Sequence, residues 1–333
     1  MTKNKTKKKQ KINNPSWVEK VTPTDNESYV LNEKETRKNV DKYLIWHIQG
    51  GLGKNVAATS ILPHLKEKYN DRKLIVVAAW PEIFLNNLLI DRLYAMGSTS
   101  HFYDDYINNK DTIMFRHEAY NQTAHINKSQ HLIHNWCDLM ELEYSEEKYN
   151  PMIVLNYAQQ QLPQRWDREK PTMVLHTNGG PFTGQKFSYN WARDMPHEIA
   201  QRIVEQNQEK YHIFQICRQD SFIIEGVERI DQQMSGIELF SLLATSTKRV
   251  LIDSCMQHAA AAFGLQSTVL WIGTSPTVFG YNIHKNIVAK ETKIANQRIG
   301  SYMFDYQFDN NIHECPYITY NDMFDVNHLL RNI

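Results

Sequence analysis

Apolar residues along this chain gather in short continuous runs. The first is Tyr43-Leu44-Ile45-Trp46-His47-Ile48, which follows a polar, lysine-rich stretch to residue 40 with Pro15 and Pro23. A short apolar run bounded by turn residues predicts a strand buried on both faces, as in a parallel sheet. Gln49-Gly50-Gly51-Leu52-Gly53-Lys54-Asn55 then predicts a turn. Val56 to Tyr69 predicts a helix, with Val56, Thr59, Ser60, Leu62 and Leu65 toward the core, and Lys73 to Ala79 the next strand. Strand, glycine turn, helix, strand is a βαβ unit. Residues 100–150 are less regular and predict one helix around Lys128 to Met140, with a short strand at Pro151 to Leu155. Gln159 to Lys170 is polar, with Pro163 and Pro171, and is expected to be a linker. A second alternation follows. Thr172 to His176 is a strand, Pro196 to Gln208 a helix, Tyr211 to Cys217 a strand and Gly236 to Ala244 a helix. The expected organisation is a tail (1–40), a first α/β domain (41–165), a second α/β domain (170–318) and a terminal helix (319–333) packing back on the first domain.

The densest motif closes this alternation. The strand Val250 to Ile252 enters the polar turn Asp253-Ser254-Cys255-Met256-Gln257-His258, which opens the small-residue helix Ala259-Ala260-Ala261-Ala262. A second strand, Val269 to Ile272, ends in Gly273-Thr274-Ser275-Pro276. Loops at the carboxyl ends of strands hold ligands in open α/β sheets, and helix N-termini there favour anions. The two loops therefore predict one face of a site for a phosphate-bearing ligand.

Composition adds bounds. No run approaches the roughly 18 apolar residues of a membrane span, and the basic start has no apolar segment behind it, so no secretory signal is expected. The four cysteines (Cys137, Cys217, Cys255, Cys315) are scattered with no CxxC spacing, which fits a cytoplasmic setting and neither zinc nor disulfides. Formal net charge is zero. Lys3, Lys5, Lys7, Lys8, Lys9 and Lys11 nonetheless crowd the start, as a solubilising tail or as a tether to nucleic acid or an anionic surface.

The glycine loop resembles a P-loop only in part. GxxxxGK[ST] needs Ser or Thr where Asn55 stands, and the spacing before Lys54 differs. Gly51, Gly53 and Lys54 are candidates for close contact with a ligand. His176-Thr177-Asn178-Gly179-Gly180-Pro181 ends a strand, and Lys186 and Arg193 beyond it suit a diphosphate, as a point charge and a bidentate fork. Arg218 follows the strand ending at Cys217, and Met234 precedes the next helix; both are counted with the candidates for contact with that ligand. His131 and His134 lie one helical turn apart without a carboxylate pattern, so no metal site is expected. GxSxG is absent.

Residues Ser235 to Tyr281 resemble the C-terminal half of the ADP-heptose:lipopolysaccharide heptosyltransferase-like glycosyltransferases. That family carries a leucine-rich helix, a strand, Asp-(Ser/Thr)-Gly-x-x-His-hydrophobic-Ala-Ala-Ala-hydrophobic-Gly, a strand, then Gly-x-Thr-x-Pro. Here these stand as Ile237 to Ala244, Val250 to Ile252, Asp253 to Gly264, and Gly273-Thr274-Ser275-Pro276 with Gly280. Weaker similarity covers about residues 43 to 285. The resemblance implies a GT-B fold, two Rossmann-like α/β domains with parallel sheets facing a cleft, and metal-independent sugar transfer without a cofactor. The implied partners are a nucleotide-sugar donor and a saccharide acceptor. It implies that Asp253, Ser254, Met256 and His258 lie beside the donor diphosphate or sugar, that Thr274 lines the donor cleft, and that Lys186 and Arg193 form its basic loop.

Two positions depart from the pattern. Cys255 replaces a glycine. Lys54 stands where the family carries Asp, its proposed base, and lysine is a poor base at neutral pH unless its pKa falls strongly. Glu82, Asp105 and Glu118 are the alternative bases for an inverting reaction, with His258 assisting the leaving group; a retaining reaction needs no dedicated base. Three functions follow: transfer to a glycan or lipid-linked saccharide, transfer to a modified base in nucleic acid, or nucleotide-sugar binding without catalysis.

Overall fold

The computed structural model describes residues 40–145, 148–180, 190–231, 233–290, 315 and 317–333. The lysine-rich start and Lys186 lie outside these described residues. Two parallel sheets organise the rest. β1 (Lys42–Ile48), β2 (Lys73–Ala78), β3 (Arg92–Ala95) and β4 (Asp111–Phe115) form the first, in the order β3-β2-β1-β4. β5 (Thr172–His176), β6 (His212–Ile216), β7 (Glu228–Ile230), β8 (Lys248–Ile252), β9 (Thr268–Trp271) and β10 (Lys285–Val288) form the second, in the order β10-β9-β8-β5-β6-β7. In register, His47 stands beside Val77 and Leu175 beside Val250.

Alternation along the buried strands sorts side chains between layers, because successive residues point to opposite faces. In β1, Leu44, Trp46 and Ile48 enter one large core and Tyr43 and Ile45 a smaller one behind the sheet. In the second sheet, Val174, Leu251, Val269 and Trp271 enter that same large core, and Leu175, Val250, Ile252 and Leu270 a third. One apolar cluster therefore runs through both halves. The helices between the sheets supply its middle: α1 (Leu52–Ala58), α2 (Leu62–Lys68), α3 (Leu132–Leu139), α5 (Gly236–Thr245) and α6 (Cys255–Ala262). Trp46 meets Trp136 of α3 edge-on at 5.8 Å between ring centroids. The helix α4 (His197–Asn207) covers the outer face of the second sheet through Ile199, Ala200, Ile203 and Val204.

Several expectations change. Gly53, Lys54 and Asn55 belong to the first turn of α1, and the turn shrinks to Gln49-Gly50-Gly51. Gly50 takes φ +92°, a left-handed conformation that glycine adopts without strain. Asn55 donates its side-chain amide to the Gly51 carbonyl at 3.0 Å, which closes the helix start from within. The expected single helix tightens at Thr59–Ile61, where the Thr59 and Ser60 hydroxyls bond back to the Val56 and Ala57 carbonyls at 2.6 and 2.7 Å. Pro151 to Leu155 form no strand; the Met152 N–H bonds the Thr59 hydroxyl at 2.8 Å. The expected linker is a 3-10 helix, Gln159–Trp166, anchored by buried Trp166, whose indole N–H bonds Ser241 of α5 at 2.8 Å. The terminal helix α7 (Val326–Arg331) packs on the second half, with Met323, Phe324 and Leu329 in the core that holds Leu175 and Leu270.

Candidate functional site

Both sheets present strand carboxyl ends, and α1 and α6 stand over them back to back. At the first sheet, Lys54 in the first turn of α1 is buried, and its ammonium lies 2.5 and 2.6 Å from the two carboxylate oxygens of Glu118, in the loop after β4. The Lys54 ammonium also sits 4.4 Å from the Tyr120 ring centroid. Burial pulls the Lys54 pKa down, and the Glu118 carboxylate opposes it without fully compensating. The Tyr120 N–H fixes the Glu118 carboxylate from a second side at 3.1 Å. A small pocket opens here to solvent, lined by His47, Gln49, Lys54, Arg116, His117 and Glu118 among others. The His47 pKa is lowered by burial and by the charge of Arg116.

At the second sheet, Ser254 caps α6, its hydroxyl accepting from the Met256 N–H at 3.2 Å and lying 2.9 Å from His176 Nδ1 at the end of β5. Burial pushes the His176 pKa down to about 4, so a neutral ring shares this hydrogen bond with the hydroxyl that caps the helix. The Arg193 guanidinium lies in this corner. A methyl group on Gly179 would meet its Cζ and Nε at 3.8 Å, and its charge acts on His176, Asp253 and Cys255. Burial raises the Asp253 pKa against the pull of Arg193, and Thr274 adjoins that carboxyl. Burial likewise holds the Cys255 thiol up at about 12, which leaves it unreactive.

Arg218 is already engaged. It forms a fork on Asp194 at 2.6 and 3.3 Å and donates to the Gly179 carbonyl at 2.7 Å, so it braces the loop that carries Arg193. Met256 is buried in the large core and Met234 packs partly against it.

The halves touch where α1 meets α6. A methyl group on Gly53 would come within 2.8 Å of His258 Cδ2 and 3.1 Å of Cys255 Cα. Gly53 therefore serves close helix approach. His258 is buried, lies 2.8 Å from the Tyr281 hydroxyl through Nδ1, and burial drives its pKa down to about 3. Its ring is neutral at physiological pH, so it brings an N–H and no charge. His131 meets the same Tyr281 ring at 5.6 Å, and His125 stacks on Tyr120 at 4.5 Å and meets Phe279 at 5.6 Å. Burial holds both at about 4.

The structure thus brings Lys54 to Glu118, and Arg193, Asp253, Ser254 and Thr274 to the start of α6. Gly51 is the extended residue ahead of α1. Glu82 lies in the 3-10 turn after β2, at the same edge as Lys54. Asp105 is not brought there. It is exposed on a short helix whose Tyr106 packs edge-on against Tyr43, at the amino end of β1. The sequence reading missed the Lys54–Glu118 pair, the Arg218–Asp194 fork and the His176–Ser254 bond. A charged residue near a strand's carboxyl end was the available signal for the first two, and a polar residue at a strand end for the third.

No protein-family profile and no curated protein sequence matches this chain. Solved structures resemble it in fold. The glycosyl transferase family 9 protein from Veillonella parvula DSM 2008 is 12% identical, with a TM-score of 0.58 over 88% of this chain and 96% of that one. E. coli ADP-heptose LPS heptosyltransferase II is 13% identical, with a TM-score of 0.56 over 86% and 98%. The iron-containing dodecameric glycosyltransferase TibC from enterotoxigenic E. coli H10407 is 12% identical, with a TM-score of 0.59 over 88% and 77%. TibC is also solved with ADP-D-β-D-heptose, with a TM-score of 0.55. At these identities the likeness is one of fold. The paired parallel sheets are the GT-B fold of these neighbours, as the sequence predicted.

Proposed function

We propose that this protein is a glycosyltransferase, moving a sugar from a nucleotide-diphosphate donor to an acceptor hydroxyl. The observation that carries the reading is the Arg193 guanidinium beside the amino end of α6, at one sheet's carboxyl edge, with a solvent-open pocket at the carboxyl edge of the other. A diphosphate suits the first place, since a fixed guanidinium and a helix N-terminus both favour anionic oxygens. Asp253 and Thr274 beside it suit hydroxyls of the ribose or sugar. Neighbours of the same fold that use or hold ADP-heptose support a nucleotide-sugar donor. The acceptor, a glycan or lipid-linked saccharide, enters at the pocket of the first sheet.

In the reaction the anomeric C–O bond breaks, and its electron pair leaves with the nucleoside diphosphate. Arg193 and the α6 terminus stabilise the charge that grows on that leaving group. We assign no metal to this step and expect EDTA to leave turnover unchanged. The thiols of Cys137, Cys217, Cys255 and Cys315 are all unpaired, which fits the cytoplasmic setting we assign. Among the described residues no helix is long and apolar enough to cross a membrane.

The experiment is a thermal-shift screen with ADP-, GDP-, UDP- and dTDP-linked sugars, followed by assay of nucleotide release from any that bind. At least one donor should stabilise the protein, and Arg193→Ala should weaken its binding about tenfold or more, the scale of one charge-assisted hydrogen bond. Failure of every nucleotide sugar to raise the melting temperature refutes the donor site.

A further inference from the structure

Resting on the glycosyltransferase reading, we propose that Glu118 is the general base that takes the acceptor's proton, and that buried Lys54 is the positioning residue that holds its carboxylate. A base must be an unprotonated group, such as a carboxylate, imidazole or amine, within reach of the attacking hydroxyl. Lys54 stands where the resembled family carries a carboxylate, and its ammonium has no lone pair to accept a proton. The carboxylate nearest that ammonium is Glu118, which arrives from the neighbouring strand β4. One negative charge is thus present at the edge of β1, supplied from a site 64 residues away in sequence.

The geometry suits the task. Both oxygens of Glu118 rest on the Lys54 ammonium, and Oε1 also accepts the Tyr120 N–H. A carboxylate has about four acceptor positions. These contacts use three, so a lone pair stays available for an acceptor O–H. Glu118 remains one-third exposed while Lys54 is nearly closed off, so the carboxylate reaches solvent and the cation does not. The pair borders the open pocket, and Gly53, next to Lys54, touches the start of α6. Acceptor and donor sides meet at this point. Glu82 shares the edge but lacks such a clamp, and Asp105 lies elsewhere.

The step balances as follows. The acceptor oxygen forms its bond to the anomeric carbon, and its proton passes to the Glu118 carboxylate. The bond from that carbon to the diphosphate oxygen breaks, and the nucleoside diphosphate carries away the pair. Lys54 grips both Glu118 oxygens and restrains the rotation of the carboxylate. Burial works against the Lys54 charge, so the ammonium depends on Glu118 as much as it orients it.

The test follows release of nucleoside diphosphate from the donor found in the thermal-shift screen, with water as acceptor. Glu118→Gln should lower kcat at least a hundredfold, the usual scale for a lost general base, with the donor-induced melting shift unchanged. Glu118→Asp should recover part of the rate. Lys54→Met should lower kcat at least tenfold with the donor-induced melting shift unchanged, since the carboxylate loses its clamp, and Lys54→Arg should recover part of the rate. Asp105→Asn should match wild type. If Glu118→Gln is too unstable to assay, the double variant Lys54→Met/Glu118→Gln removes both charges and should be equally inactive. Glu118→Gln or the double variant within threefold of wild-type kcat overturns the assignment while leaving glycosyl transfer intact. A wild-type kcat in Lys54→Met, or a Lys54→Arg variant no better than Lys54→Met, overturns the role of Lys54. A wild-type protein that no nucleotide sugar stabilises overturns both readings.

Discussion

Acid should open this fold at the seam between its halves. His125, His131 and His258 meet there around Tyr120, Phe279 and Tyr281, and His176 is buried at the end of β5. Burial is the first cause of depression in each, with pKa about 4 for His125, His131 and His176 and about 3 for His258, against 6.5 when unfolded. Above pH 6.5 both states are neutral and the rings impose no penalty. As pH falls from 6.5 toward 4, the unfolded chain takes up protons that the folded chain refuses, and stability is lost. At pH 5 this difference amounts to about 2 kcal/mol for each ring with a native pKa of 4. The four rings together then cost about 8 kcal/mol, comparable with the whole stability of a typical domain.

The assay is thermal unfolding at fixed ionic strength between pH 8 and 5. Chains of this size lose about 2 °C per kcal/mol, so the melting temperature should fall by about 15 °C, most of it below pH 6.5. The double variant His125→Gln/His131→Gln should lose about 4 of those 8 kcal/mol, because two of the four rings that supply them are gone. A melting temperature that changes by less than about 3 °C across the range refutes the reasoning. So does a double variant with the full slope.

Other perturbations test separate parts of the architecture. Gly53→Ala places a methyl group within 3.1 Å of the Cys255 backbone, and should destabilise by about 1–3 kcal/mol for overpacking, less up to about 1 kcal/mol of helix propensity. Denaturant titration reads it, and a stabilised variant shows that α1 and α6 do not meet at this glycine. Asp194→Asn removes the nearer carboxylate on buried Arg218, with Asp220 remaining at 3.4 Å, and should cost about 1–3 kcal/mol. Unchanged stability counts against the brace on the Arg193 loop. Ser254→Ala removes the α6 cap and the His176 contact together, and should cost about 1–2 kcal/mol in the same titration.

What the sequence made legible follows burial. β1, β2, β5, β6, β8 and β9 sit within their sheets, so they read as apolar runs and were placed within a residue or two. β3, β4, β7 and β10 escaped notice. They are the outer strands of the two sheets, short and half exposed, and Arg92-Leu-Tyr-Ala or Glu228-Arg-Ile has no continuous apolar signature. The Asp253–Thr274 segment was legible because one strand–turn–helix unit carries it. The partners of Lys54 and Arg218 were not, because Glu118 and Asp194 reach them from other strands' loops, and chain distance hides such meetings. Lysines and histidines also change meaning with burial. His258 was expected to assist the leaving group, and at its depth the ring is neutral and offers an N–H without a charge.

Lys54 brings these threads together. A carboxylate at this helix turn would lie next to Gly53, against a helix terminus where an anionic donor is proposed to bind. A lysine there reverses the local field, and alone it would leave a buried ammonium uncompensated at a cost of several kcal/mol. Glu118 compensates it, and because only its carboxylate reaches solvent, the pair presents its negative end to the pocket. The asymmetry has a measurable consequence. Lys54→Met leaves a carboxylate that water can solvate and should cost no more than about 1 kcal/mol, whereas Glu118→Ala strands a buried cation and should cost about 3 kcal/mol or more. Equal losses from the two variants would mean that the ion pair is a structural contact buried alike at both ends, with no exposed carboxylate for chemistry.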